Sequence, residues 1–173
     1  GMRINQSYNS AVFIEDAIDQ VYTTLAIALM LVVLVIFIFL GSARATIVPA
    51  ITVPIALIAT FIVLWTMGFT VNILTLLAMV MAIGLVVDDA IVVLENIHRR
   101  MDELGEPPML AAYRGTREVG FAVIATTAVL IAVFAPIIML EGDIGRLFAE
   151  FSLTLSTAVF FSSLVALTLS PVL

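Results

Sequence analysis

The 173-residue chain contains no cysteine, and its seven positive residues are all arginine, with no lysine. Without cysteine there are no disulfides, no thiolate metal sites and no cysteine nucleophiles to consider, and redox chemistry has no support. Charged residues make up only 12% of the sequence, too few to cover a soluble globule. What is abundant is apolar: 63% of residues are hydrophobic and the mean hydropathy is +1.25. Most positions fall in runs of about 18 or more apolar residues, each a candidate transmembrane helix. The chain reads as an integral membrane protein with no room for a separate globular domain. The formal charge of −6 is carried by scattered acids, several beside arginines, so no acidic tail and no nucleic-acid surface is expected.

Residues 1–10 are polar and weakly alternating, compatible with a short strand or the exit from an upstream extramembrane domain. They lack the charged start and following apolar stretch of a secretory signal, so insertion falls to the helices themselves. Domain 11–173 is expected to hold five membrane spans, at about 14–40, 46–67, 72–98, 119–140 and 147–170, an all-α bundle. The first has an amphipathic lead-in, with Ile14, Ala17, Ile18, Val21 and Tyr22 on one face, and Gly41-Ser42 supplies its stop. Pro54 is expected to kink the second span and Pro136 the fourth. Gly68-Phe69-Thr70-Val71 is a tight connection, and Asn72 fits the N-cap of the third span. Gly105-Glu106-Pro107-Pro108 breaks that helix, and Pro108 opens a short surface helix carrying Arg114 and Arg117. Residues 141–145 form the turn into the fifth span, whose Ser152, Ser156, Ser163 and Ser170 make a polar stripe suited to packing rather than catalysis.

Arginines accumulate on the cytoplasmic side of a membrane protein, and acids count for little. Five crossings put Arg3 and Arg146 on one side and Arg44, Arg99, Arg100, Arg114 and Arg117 on the other. The N-terminus is therefore expected outside and segment 98–118 in the cytoplasm.

Within the otherwise uncharged run from Asn72 to Leu94 stand two adjacent acids, Asp88 and Asp89. An acid near the middle of a span costs on the order of 2.5–3.5 kcal/mol on insertion scales, so such groups face protein or water, or are protonated or paired. Burial and mutual repulsion both favour the neutral acid, and the pair titrates as a unit, which suits an ion-coupling site. The competing reading is a structural polar pair. No lysine or arginine lies in any span, so a buried basic partner must come from protein outside these residues. Gly84, Ala78 and Ala82 give the same helix a small-residue spacing that lets a neighbour approach. Glu95 and Asn96 at the cytoplasmic end read as a solvated or capping pair, with proton entry the sharper alternative. His98 beside Arg99 and Arg100 suits the headgroup level, Trp65 an interfacial anchor, and Met67, Met79, Met81 and Met139 packing or lipid contact rather than metal ligation. No nucleophile–base set, metal cluster or cofactor motif is visible, so an enzyme is not indicated.

The run Ala82-Ile83-Gly84-Leu85-Val86-Val87-Asp88-Asp89-Ala90-Ile91-Val92-Val93-Leu94-Glu95-Asn96-Ile97 closely resembles the fourth transmembrane helix of resistance-nodulation-division efflux pumps of the hydrophobe and multidrug branch. Phe39-Leu40, Arg44-Ala45-Thr46, Pro49, Pro54, Gly68-Phe69, Pro136 and Ser170-Pro171 extend the resemblance along the chain, over family helices two to six. It implies half of a membrane domain in a bacterial inner membrane, with Asp88 and Asp89 binding and releasing the protons that drive export of amphiphilic small molecules. It also implies a homotrimer working with a periplasmic adaptor and an outer-membrane channel, and a basic residue on a later helix as partner to the pair. The double aspartate sets the chain apart from the heavy-metal branch. Two alternatives stay open: a relative that exports lipid or assists protein export, and a non-transporting scaffold in which the pair is structural.

Overall fold

A computed structural model describes residues 10–70, 72–140 and 142–172. Five helices occupy these residues: α1 (Ser10–Leu40), α2 (Ala43–Thr66), α3 (Ile73–Leu104), α4 (Pro108–Ile138) and α5 (Gly142–Thr168). The strand expected within 1–10 lies outside the described residues, apart from Ser10, which begins α1.

The breaks fall where backbone chemistry demands them. Gly41, Gly68, Gly105 and Gly142 all have positive φ, a region that other residues enter at a steric cost. At the end of α3, Gly105 adopts the left-handed conformation and both its amide and that of Glu106 return to the Arg100 carbonyl. At its start, Asn72 is the expected N-cap. Its Oδ1 accepts from the amides of Leu74 and Thr75 at 2.9 Å each, while Thr75 Oγ1 accepts from the Asn72 amide, a reciprocal capping box. Asn72 Nδ2 also donates to Glu150, tying the start of α3 to α5.

One expectation fails. The short surface helix and the fourth span are a single helix, α4, of 31 residues. No proline lies between Pro108 and Pro136, and leaving the hydrocarbon does not by itself end a helix. For the same reason α3 runs past residue 98 to Leu104, and α5 starts at Gly142, so residues 142–145 of the expected turn are already helical. The helices continue through Pro49, Pro54 and Pro136 without interruption.

Among the described residues, α2, α3, α4 and the stretch 144–168 of α5 are long and apolar enough to cross a membrane, and α1 adds a shorter apolar stretch over 22–38. The chain is a multi-pass, all-α membrane protein. Helix α3 packs against all four others and most extensively against α5, which also meets α2 and α4. One core cluster joins Ile36 of α1, Val53 and Ala56 of α2, Ala82 and Val86 of α3, and Leu155 and Ala158 of α5. A second joins Ala90, Val93 and Ile97 of α3 to Ala111 and Val123 of α4 and Ala166 of α5. The alanines at these crossings let backbones approach, which is how helices associate in lipid, where apolar burial supplies little drive. Helix α4 faces largely outward, with Ala111, Gly115, Val123 and Thr127 its buried residues.

Candidate functional site

Asp88 and Asp89 are the sixteenth and seventeenth of the 32 residues of α3, between the two core clusters. Neighbouring positions on a helix point about 100° apart, and the two acids diverge accordingly. Asp88 is exposed; Asp89 is half-buried. Both line a groove of about 650 Å³ between α3 and α4, walled mostly by apolar side chains such as Leu85, Val92, Val123 and Val129, with Thr126 among them. Asp89 Oδ2 is buried with no hydrogen-bond partner among the described residues. Ser162 of α5 donates its hydroxyl proton to the Val86 carbonyl at 2.8 Å. A buried carboxylate oxygen without a donor is costly, because its lost hydration is not replaced.

The small residues divide. Ala78 and Ala82 are fully buried in the bundle, whereas Gly84 is exposed and a methyl built on it meets nothing within 4 Å. Gly84, Asp88 and the groove therefore open together on a side that these five helices leave bare.

Seven residues beyond Asp89, Asn96 is buried and fully engaged. Its Nδ2 donates to the Gly115 carbonyl at 2.8 Å and to Glu118 Oε2 at 3.2 Å, and its Oδ1 accepts from Arg99 at 2.9 Å. It bridges α3 and α4, a role beyond the capping that sequence suggests. Glu95 is exposed. Glu118 also receives Arg100 at 2.9 Å, and Glu106 receives Arg100 at 3.0 Å and Arg114 at 2.9 Å. The hydrogen bond from Arg114 and the neighbouring Arg100 hold the Glu106 carboxyl below its ordinary value of 4.5, against a smaller opposing effect of burial.

Trp65 is exposed at the end of α2, and Met79 is fully buried while Met67, Met81 and Met139 are exposed. The serine stripe is buried. Ser152 Oγ donates to the Phe134 carbonyl of α4 at 2.6 Å, whereas Ser156 Oγ and Ser170 Oγ are buried without partners among the described residues. Ser162 lies outside the seven-residue spacing that defines the stripe. Helix α5 packs against α2, α3 and α4, so its buried arc is wide enough to take in both 162 and 163. Among the described residues, no group of three or more His, Cys, Asp or Glu side chains could hold a metal ion.

Comparison with known proteins places this arrangement. The profile of the AcrB/AcrD/AcrF family matches residues 1–173. The chain belongs to that family. Among curated relatives, multidrug resistance protein MdtC of Yersinia enterocolitica is 48% identical over 172 residues, 99% of this chain and 17% of the relative. MdtC of Yersinia pseudotuberculosis matches to the same extent, and MdtC of Pantoea ananatis is 52% identical over 160 residues, 92% of this chain and 16% of the relative. The chain thus spans about one sixth of the length of these relatives. Its relatives are named for drug resistance and not for an enzymatic reaction.

Proposed function

We propose that this chain is the membrane-domain portion of a proton-motive-force-driven efflux transporter, a drug/proton antiporter, in which Asp88 and Asp89 bind and release the coupling protons. The observation that carries the reading is Asp89 Oδ2, buried without a donor beside an exposed second carboxylate on the most central helix. A carboxylate oxygen costs more to bury unpaired than a hydroxyl such as that of Ser156 or Ser170, so a purely structural acid would be hydrogen-bonded across the helix contacts, as Asn96 is to Gly115. An unsatisfied carboxylate instead gains from a proton or from a cation, and exchanging one for the other changes what can pack against it.

The open side of the groove suits the remainder of the transporter, with a basic residue on a later helix as the cationic partner. The assembled protein is a homotrimer in a bacterial inner membrane, working with a periplasmic adaptor and an outer-membrane channel on amphiphilic small molecules. The N-terminus faces the periplasm and segment 98–118 the cytoplasm, following the arginine distribution. Protons are the coupling ion, and no further cofactor is required.

The test places Asp88→Asn and Asp89→Asn separately in the complete transporter. After confirmation of folded assembly, pH-gradient-driven export of a fluorescent amphiphile from proteoliposomes is measured. Loss of export in both folded variants supports the reading, and gradient-driven export retained at the parental rate sinks it.

A further inference from the structure

The two ends of the α3–α4 contact differ sharply. At Asn96 and Ile97 the backbones nearly touch: a methyl built on Gly115 would lie 3.0 Å from Ile97 Cγ1 and 3.2 Å from Ile97 Cα. Two turns away, beside the buried packing of Ala90 and Val93 with Val123, the 650 Å³ groove opens at Asp88 and Asp89 between the same helices. The contact is clasped at Asn96 and flanked by an open groove at the carboxylates. What closes it is specific. Buried Asn96 has every donor and acceptor of its amide engaged, and Glu118 of α4 takes donors from Asn96, Arg99 and Arg100, all on α3.

We propose that Asn96 and Glu118 are positioning residues for the carboxylate pair: they fix the α3–α4 crossing and so set the width and wetness of the groove in which Asp88 and Asp89 exchange protons. This rests on the coupling role proposed above. Asn96 is seven residues from Asp89, about 20° from the same line along α3, so rotation or separation at the clasp is felt on the face that carries Asp89. Helices are stiff on this scale, and a shift at one end of a packed pair displaces the other. The groove presents Ala122, Val123, Ala125, Thr126, Val129 and Leu130 from α4, and α5 contributes the Ser162 hydroxyl nearby. Asp88 is thus the only other titratable group lining the groove among the described residues, and groove geometry governs how water reaches Asp89.

The test uses the complete transporter in proteoliposomes with Asn96→Asp, Glu118→Gln and the double variant. Asn96→Asp sets two carboxylates against each other where an amide met a carboxylate, and the double variant restores a complementary pair with the roles exchanged. Two readouts are taken: the pH profile of gradient-driven export, and the distance between spin labels at Val92 and Ala125 in a cysteine-free background. Asn96→Asp is expected to widen the distance, displace the pH profile and change export at a fixed suboptimal pH by roughly 2- to 30-fold. The double variant is expected to return both readouts toward the parent. Unchanged profile and distance in Asn96→Asp, or a loss of folded protein with an unchanged profile in what assembles, overturns the proposal. If Asn96→Asp does not assemble, Glu118→Gln and Asn96→Ser decide it by the same two readouts. Retained export in both asparagine variants of the aspartates would refute the coupling role instead, which separates the two failures.

Discussion

Gly115 and Gly120 lie on the same helix and differ in what surrounds them, so they separate a close helix crossing from helix propensity. Replacing either by alanine gains about 0.8–1 kcal/mol of helix propensity. At Gly120 the added methyl meets only Leu167 Cδ2 at 3.8 Å, an ordinary contact, so the gain is kept. At Gly115 it meets the Ile97 backbone at 3.2 and 3.3 Å, which a rotamer change cannot relieve. Overpacking of this kind costs about 1–3 kcal/mol. The propensity gain is common to both and cancels, leaving a contrast of about 1–3 kcal/mol, or roughly 5- to 150-fold in a local opening constant. Amide hydrogen exchange on peptides from the 98–118 region of the complete transporter in nanodiscs reads that constant directly. Gly115→Ala is expected to speed exchange there relative to Gly120→Ala. Equal protection in the two variants, or greater protection in Gly115→Ala, would refute the argument that the α3–α4 crossing is set by backbone approach at Gly115.

Four further outcomes follow from the same geometry. Asn72→Ala removes the capping box and the tie to Glu150 and should destabilise the start of α3 by about 1 kcal/mol, seen as faster exchange at residues 73–76, with unchanged exchange counting against the cap. Gly145→Ala drives a methyl into the Leu140 carbonyl oxygen, so the variant should show a clear loss of folded yield by size-exclusion chromatography, and parental yield would contradict the turn geometry. Glu106 has its folded-state pKa lowered, so its stabilising contribution is present above its ordinary value of 4.5 and is lost as pH falls through the lower folded value. Acidification below about 4.5 should therefore loosen the 98–118 hairpin, and Glu106→Gln should flatten that dependence in exchange measurements, whereas an identical acid response in the variant would assign it elsewhere. Gly84→Leu meets open space within these five helices, so its effect reports on the rest of the transporter: export should fall if another helix covers the groove, and parental export would mean that this face is bare in the assembly.

The sequence alone determined the membrane class, the helical content and the conspicuous pair. Hydrophobic run length and the cost of unsatisfied backbone in lipid leave few alternatives to spanning helices, and two acids in an apolar run are visible without coordinates. Cap chemistry was legible for the same local reason, as at Asn72, Gly41 and Gly105. The extent of α4 was not, because polarity marks where a helix leaves the hydrocarbon and not where its hydrogen bonding stops. Nor could sequence distinguish Asp88 from Asp89, assign Ser162 to the Val86 carbonyl, or show that Asn96 and Glu118, 22 residues apart, meet at one end of a helix contact beside which the carboxylates line a groove. Those facts depend on which faces of separate helices meet. Contacts between helices are fixed by side-chain volume and backbone approach at each crossing, and so only the tertiary structure decided them.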